Sequence, residues 1–457
     1  MILDLLPVAV RKYFEMSKRQ RKHEMQMAIW YMPVAYIGIA IGFGVLTLFL
    51  DLVIEVNEYT HTFFQINADI TRMLVSTLIG GILTLSAFTL NSLLVVLITF
   101  SGQFSPRMLL NFVSDRRTQH ALGIFNGNFV YVLFVFLFVG NTSKEAFVAV
   151  PITSVLLAFL SAITFIYFIN HATTWMQVHN ITFTMKKSSE EIINQTLKKE
   201  LEAYRTTEPG DLKEEEREKE VSVGSVKSGY IQLVNYREMI QEAKKDDIII
   251  QLHSQIGDYT LKTNKLLSYW GPGADDVDYE KYCRMIDIGH KETEIQDVQM
   301  GMHKLAEIAI KALGNDDPKT ATNTIHQMSE LMLTVEDYIT FTPYLMDDDK
   351  QVRVMLLEES FNYYIYRGFG YIRHYARDNH LIITELINGL AMIAESIDPS
   401  KHDMLWDFAC QTLDHIETEL IYDLDKTFLL DGVKRLAVST DKVFDYYAIE
   451  EKFYPKT

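Results

Sequence analysis

The chain has 457 residues, of which 48% are hydrophobic, so it holds two or three domains and is far too apolar for a disordered protein. Its two cysteines, Cys283 and Cys410, exclude a disulfide framework and a cysteine-based zinc cluster. The net charge of −17 is uneven: residues 1–185 carry 11 Lys and Arg against 9 Asp and Glu, and the remainder carries 32 against 51. The acidic C-terminal half repels phosphate, which excludes nucleic acid as an expected partner.

The N-terminal half contains four segments that are long and apolar enough to cross a bilayer, which takes about 20 residues. They are Ile29–Leu50, Met73–Phe100, Ala121–Gly140 and Phe147–Ile169. Together they predict a four-span membrane domain over residues 29–185, with the lipid bilayer as its first partner. Residues 1–28 mix basic and apolar side chains, which predicts a cytoplasmic amphipathic segment along the inner leaflet.

The distribution of Lys and Arg predicts the orientation, because these residues accumulate in cytoplasmic loops. Six of them precede the first span, three lie between the second and third spans, and Lys186 and Lys187 follow the fourth. Both termini are therefore predicted to be cytoplasmic. The loop between the first two spans is acidic instead, and its four acids are predicted to form an outer vestibule: Asp51, Glu55, Glu58 and Asp69.

The second span carries a stripe of polar and small residues within roughly one third of the helix circumference. Two interpretations remain open: the stripe packs inside a helix bundle, or it lines a water-filled pore made by symmetry-related copies. An amide such as Asn91 within a membrane needs partners and often marks function, which favours the pore. The predicted pore-lining residues are Thr77, Thr84, Phe88, Asn91 and Val95.

The segment after the second span also has two possible interpretations. Pro106 breaks or kinks the helix there, and Arg107 anchors to lipid phosphate or to an acidic partner. The plain interpretation is a bend with a lipid anchor. The functional one is a coupling joint between the pore helix and the C-terminal domain, formed by Gln103, Ser105, Pro106 and Arg107.

The C-terminal half is predicted to be a cytoplasmic α+β domain in a chain that is mostly α. Residues 186–220 are predicted to be a charged helical linker, 221–275 a small β-sandwich or barrel module, and 276–457 an all-helical domain. Thr293 and Gln296 are expected to form a capping box. Asp317 and Pro318 have the pattern of a helix start, with the cap followed by proline at the first helical position.

The sequence contains no motif for a nucleotide, a catalytic metal or a nucleophilic serine, so neither a cofactor nor an enzymatic activity is expected. Asn315, Asp316 and Asp317 offer oxygen atoms to a hard cation, and inorganic cations are candidate ligands there. Helix capping by Asp317 and solvation of its neighbours explain the same residues without a cation.

Three stretches resemble a bacterial family of predicted membrane proteins called domain of unknown function 2254. They are Ser101–Arg107 with Leu109 and Phe112, then Leu122–Tyr131, and finally Gly314–Ala321. The resemblance covers nearly the whole chain. It implies four spans in a bacterial cell membrane followed by a cytoplasmic domain, and it implies no activity.

The leading hypothesis is therefore a homo-oligomeric, cation-permeable channel whose second span lines the pore and whose acidic domain regulates it. The rival is a membrane-anchored sensor or scaffold that conducts no ions and binds a partner protein through its cytoplasmic domain. The oligomeric state separates the two, because a monomer or a simple dimer hardly encloses a central pore with one lining helix per subunit.

Overall fold

The computed structural model describes residues 18–103, 112–140, 142, 144–417 and 421–454. It divides into two compact units, Met1–Asn180 and Ile181–Thr457. The chain is mostly helical, with sheets confined almost entirely to the second unit, so the predicted fold class is confirmed.

The first unit contains four helices long and apolar enough to cross a membrane, as predicted. They follow a short helix, α1 (Lys18–Met27), and are α2 (Tyr31–Leu52), α3 (Ala68–Gln103), α4 (Arg116–Val139) and α5 (Ala149–Trp175). A helical turn, Val56–Tyr59, follows α2. Two short strands, β1 (Ile66–Asn67) and β2 (Ala146–Phe147), pair antiparallel and tie the start of α3 to the start of α5.

Helix α4 is the central element of the first unit. In its most apolar stretch of 18 residues, half of the residues are buried, against 28% in α2 and α3 and 22% in α5. Its buried residues Tyr131, Val132, Val135 and Val139 pack with side chains of the other three spans. Many large apolar side chains of the outer helices are exposed, which suits contact with lipid.

The second unit is built around two sheets. The strands are β3 (Arg205–Thr206), β4 (Val221–Gly224), β5 (Gly229–Val234), β6 (Ile249–Leu252), β7 (Tyr259–Thr260), β8 (Lys265–Trp270), β9 (Ile286–Gly289), β10 (Tyr344–Met346) and β11 (Val352–Met355). One sheet has the order β3-β10-β11-β6-β8-β4, and the other has the order β7-β5-β9. All pairs are antiparallel except β11 with β6.

This topology corrects the predicted division at residue 275. Strand β9 completes the smaller sheet, and β10 and β11 enter the larger sheet beside β6 from about a hundred residues further along the chain. The region 276–457 is therefore not purely helical, and 221–275 is not a self-contained module. The missed strands are three or four residues long, too short to show a clear alternation of polar and apolar residues.

Helices fill the rest of the second unit. They are α6 (Val178–Glu191), α7 (Tyr236–Lys245), α8 (Tyr279–Arg284), α9 (Val298–Gly314), α10 (Pro318–Tyr338), α11 (Phe361–Ile365), α12 (Tyr371–Ala376), α13 (His380–Ala394), α14 (His402–Leu413), α15 (Asp423–Ser439) and α16 (Val443–Phe453). The predicted linker 186–220 is helical only in part, since α6 gives way to a π-helix and short 3-10 turns.

Two predicted helix starts had different outcomes. Asp317 caps α10 by accepting the backbone N–H of Thr320, with Pro318 in the first turn, as expected. The capping box at Thr293 and Gln296 is wrong. The cap of α9 is Asp297, which accepts the backbone N–H of Met300, whereas the Thr293 hydroxyl donates to the carbonyl of Gln232.

Candidate functional site

Helix α3 has two different faces. One face is buried in the first unit and includes Val75, Ile82 and Val96, together with the polar Ser86 and Thr89. The opposite face is exposed along the apolar span Ala68–Thr99. The helix therefore buries a face made largely of branched apolar side chains and turns its other face away from its own subunit.

The predicted pore-lining residues all lie on the exposed face of α3. Phe88 is 57% exposed and Val95 is 52% exposed. Thr77, Thr84 and Asn91 are exposed as well, one or two helical turns apart. The interpretation that this stripe packs inside the four-helix bundle of a single chain is therefore wrong. The stripe faces lipid, another subunit or water.

Hydrogen bonding separates Asn91 from the threonines of the stripe. The hydroxyls of Thr77 and Thr84 donate to the carbonyls of Met73 and Gly80, each at 2.8 Å, which satisfies them within the helix. The Asn91 side chain makes no hydrogen bond to any other described residue. Its amide has two donors and a carbonyl acceptor that lipid cannot satisfy.

The glycines of α4 are packed against a neighbouring helix, whereas two glycines of α3 are not. A Cβ atom at Gly123 or Gly127 of α4 would meet Tyr36 of α2, at 2.4 Å from its ring and at 3.1 Å from its carbonyl oxygen respectively. A Cβ atom at Gly80 or Gly81 would meet nothing within 4 Å. The α4 glycines thus allow close packing of two helices, and the α3 glycines leave a smooth groove on the surface of the subunit.

Asp51 does not belong to an outer vestibule, which corrects the sequence-based assignment. Only 1% of its surface is exposed. Its carboxylate accepts the backbone N–H groups of Val148, Ala149 and Val150 at 2.8–3.2 Å. The negative charge thereby stabilises the first turn of α5, whose N–H groups have no partners within the helix.

The other predicted vestibule acids are accessible to different degrees. Glu55 forms a salt bridge with Lys144 at 3.1 Å, and that hydrogen bond and positive charge hold the pKa of the Glu55 carboxyl below its usual range. Asp69 is 88% exposed and only loosely paired with Arg72, at 3.4 Å. Glu58 is exposed. Glu58 and Asp69 are therefore the exposed acids of this set with no close salt bridge, whereas the Glu55 side chain is 45% exposed and paired with Lys144.

The proposed coupling joint lies largely outside the described residues. Gln103 is the last residue of α3. Ser105, Pro106 and Arg107 lie outside the described residues, so their predicted roles stay predictions.

The candidate cation site has a structural explanation. Asp317 is engaged at the start of α10, where its carboxylate also accepts the hydroxyl of Thr320 at 2.5 Å. Asp316 lies in the left-handed region with φ of 56°, which fits the tight turn between α9 and α10. Within the described ranges of the chain, no three His, Cys, Asp or Glu side chains are arranged to hold a metal ion.

The stretch Leu122–Tyr131 is a helix-packing motif whose hydrogen bonds could not be predicted from the sequence. The Asn128 amide is buried and donates to the Ser161 hydroxyl at 2.8 Å and to the Leu157 carbonyl at 3.1 Å, both on α5. The buried Tyr131 hydroxyl donates to Thr47 on α2. Asn128 and Tyr131 therefore connect α4 to α5 and to α2 by hydrogen bonds.

These features define the class of the molecule: a four-helix membrane unit followed by a folded α+β unit. The chain belongs to the family described as "Predicted membrane protein (DUF2254)", whose sequence model matches residues 26–392. It is similar to the uncharacterized protein Mb1321c of Mycobacterium bovis and to the uncharacterized protein Rv1290c of Mycobacterium tuberculosis. Each is 25% identical over 430 residues, which cover 90% of this chain and 80% of the relative. No solved structure matches the chain.

Proposed function

We propose that the protein is a homo-oligomeric ion channel of the bacterial cell membrane, in which the exposed stripe of α3 from each subunit lines a common pore. The observation that carries this proposal is the exposed position of Asn91, in a stripe that the described residues of the same chain leave uncovered. The proposal also places both termini in the cytoplasm, in keeping with the distribution of Lys and Arg along the chain.

The energetic argument concerns what an exposed amide requires. An amide left in hydrocarbon without hydrogen bonds costs several kcal/mol by transfer from water. Such polar residues in membranes usually face a bundle interior or a water-filled cavity. Among the described residues of its own subunit, Asn91 has no such interior, so a ring of subunits around water supplies the missing partners.

Cation preference follows from the charges at the ends of α2 and α3. Asp69 is at the start of α3, and Glu58 lies in the loop before it, and both are exposed. A symmetric assembly repeats these acids around the axis and concentrates cations at that mouth of the pore. Asp51 adds nothing to this field at the surface, because it is buried against the N-terminus of α5.

Phe88 is the bulkiest member of the stripe, and 57% of it is exposed in the structure of the single subunit. A ring of phenylalanine side chains narrows a pore and excludes water when it closes, which gates conduction without any charge. Phe88 is therefore the proposed gate, one turn before Asn91.

Ion flux through liposomes that contain the full chain tests the proposal. The parent protein should pass K⁺, Asn91→Leu should lower the flux, and Phe88→Ala should raise it. The matched controls are Asn170→Leu and Phe159→Ala, since both residues are exposed on α5, away from the stripe. Neither control should change the flux relative to the parent.

A contradictory result has a definite meaning. If the parent liposomes pass no ions and neither α3 variant differs from its α5 control, the channel proposal fails. The exposed stripe would then be a contact between proteins, and the membrane-anchored sensor or scaffold becomes the better description.

A further inference from the structure

A cavity in the second unit is lined by groups whose charges and hydrogen bonds are not balanced. Its volume is about 60 Å³, enough for a few water molecules or a very small ligand. Apolar side chains, including Leu201 and Ile339, form part of its wall. The charged and phenolic side chains of what we call the acidic cavity are Glu202, Arg205, Tyr236, Asp297, Glu359 and Tyr364, and four uncharged polar residues also line it: Ser254, Gln255, Gln296 and Gln299.

The single cation of this set is already engaged. The Arg205 side chain is 4% exposed and its Nε lies 2.9 Å from Oε1 of Glu202. A second guanidinium nitrogen of Arg205 donates to the carbonyl of Thr342. The pair of Arg205 and Glu202 is therefore neutral by itself, and neither Asp297 nor Glu359 forms a salt bridge with a described residue.

Both remaining carboxyl groups have spare acceptor capacity. Glu359 accepts the hydroxyl of Tyr364 at 3.0 Å through one oxygen, and its other oxygen makes no hydrogen bond to a described residue. Asp297 is 6% exposed and uses one oxygen to cap α9. Burial raises the pKa of Asp297 to about 7 and raises the pKa of Glu359 above its usual range, because it outweighs the opposing charges of Arg367 near Asp297 and of Arg205 near Glu359.

An independent observation comes from Tyr236, the first residue of α7. It is only 6% exposed and lines the cavity, yet its hydroxyl makes no hydrogen bond to any residue in the described part of the chain. Buried tyrosine hydroxyls usually have a hydrogen-bond partner. The hydroxyl is therefore a polar group that faces the cavity and lacks a partner there.

We propose that the acidic cavity binds the ammonium group of a small primary amine. A primary ammonium carries one positive charge and three N–H donors, which suits the free oxygens of Asp297 and Glu359 and the hydroxyl oxygen of Tyr236. A metal ion fits less well, because no three potential metal ligands converge among the described residues. The apolar wall accommodates a short carbon chain. This site is independent of the proposed pore.

Thermal unfolding of the full chain in detergent, with ethylammonium chloride as the probe, tests the site. Ethylammonium should raise the unfolding temperature more than ethanol, its neutral counterpart of similar size, and more than NaCl at equal ionic strength. A ligand of three heavy atoms is expected to bind with a dissociation constant in the millimolar range. Equal shifts with ethylammonium and NaCl would overturn the proposal.

Variants place the ligand within the cavity. Glu359→Gln should weaken ethylammonium binding by roughly tenfold, since it removes the charge and keeps the shape. Glu358→Gln is the matched control, because Glu358 is the exposed neighbour and should bind as the parent does. If Glu359→Gln fails to fold, Tyr236→Phe removes only one hydroxyl and should weaken binding severalfold. Binding by the tested cavity variant as tight as in the parent would contradict the assignment.

The affinity should also increase between pH 6 and pH 8, because protons compete with the ammonium group for the same oxygens. Asp297 is the main group, and it is influenced by Glu292 and Arg367. Glu359 is surrounded by Arg205, Tyr364, Glu202 and Asp258. As the pH falls below 7, Asp297 takes up a proton and its carboxyl loses the charge that attracts the ligand. An affinity that does not change over this interval would overturn the proposed exchange of proton for ammonium.

Discussion

Helices α3 and α4 are neighbouring spans that handle their polar residues in opposite ways. On α4, Asn128 is buried and donates two hydrogen bonds to α5. On α3, Asn91 is exposed and has no hydrogen-bond partner among the described residues. The glycines follow the same division, since Gly127 abuts the backbone of Tyr36 and Gly81 borders open space.

The difference shows which helix is complete within one chain. The glycines of α4 and its residues Asn128 and Tyr131 find partners in the same subunit, so the fold of the first unit explains them. The exposed stripe of α3 is not explained in this way, because polar and small residues in contact with lipid alone are energetically unfavourable. The sequence of α3 therefore fits a surface that meets water or another subunit.

The largest effect on stability is expected from the substitution of a packed glycine. Gly127→Leu should destabilise the protein by about 3 kcal/mol, because its side chain would displace the backbone of Tyr36 and separate α2 from α4. Gly81→Leu should leave the stability nearly unchanged, since it points into open space. Thermal unfolding in detergent compares the two. Equal destabilisation would show that Gly81 is packed and would remove the distinction between the helices.

An intermediate effect on stability is expected from two acids at helix ends, Asp51 in the last turn of α2 and Asp69 in the first turn of α3. Asp51→Asn should cost about 2 kcal/mol of stability, because a neutral amide replaces the carboxylate that accepts three N–H groups of α5. Asp69→Asn should leave stability within about 0.5 kcal/mol, as is usual for an exposed side chain. In the flux assay, Asp69→Asn should lower the preference for K⁺ over Cl⁻. A loss of preference with Asp51→Asn in a stable protein would instead restore Asp51 to the vestibule.

The smallest effect on stability is expected from substitutions of the two asparagines, Asn128 and Asn91. Asn128→Leu should destabilise the subunit by about 1 kcal/mol, the usual size for a hydrogen bond between membrane helices. Asn91→Leu should not lower the stability of the subunit, although it should lower the flux. Chemical denaturation in mixed micelles measures the loss of stability caused by Asn128→Leu. A clear loss of stability with Asn91→Leu would indicate that its amide has a structural partner.

The parts of this structure that sequence could predict are those governed by long, uniform patterns. The four spans follow from continuous apolar runs, and the helix start at Asp317 and Pro318 follows from local chemistry. The buried position of Asp51 could not be predicted, because its partners lie almost a hundred residues away. Strands β10 and β11 were missed for a related reason: each is three or four residues long and pairs with distant segments.

The candidate sites also differ in how far the sequence could predict them. Periodicity alone placed Thr77, Thr84, Phe88, Asn91 and Val95 on one face of α3, and the structure keeps them there. The same periodicity could not decide whether that face is inside or outside the bundle. The acidic cavity left no signal in the sequence, because Tyr236, Asp297 and Glu359 meet only through the tertiary fold.

The central claim is that the stripe of α3 faces water in the assembled protein, and thiol reactivity tests it most directly. In a background with Cys283→Ser and Cys410→Ser, a cysteine is placed at Asn91 or at Leu83, which is also exposed on α3 but lies beside the stripe. A charged, membrane-impermeant thiol reagent should modify Asn91→Cys much faster than Leu83→Cys, because thiolates form in water and not in lipid. Equal and negligible modification of the two variants would contradict the account.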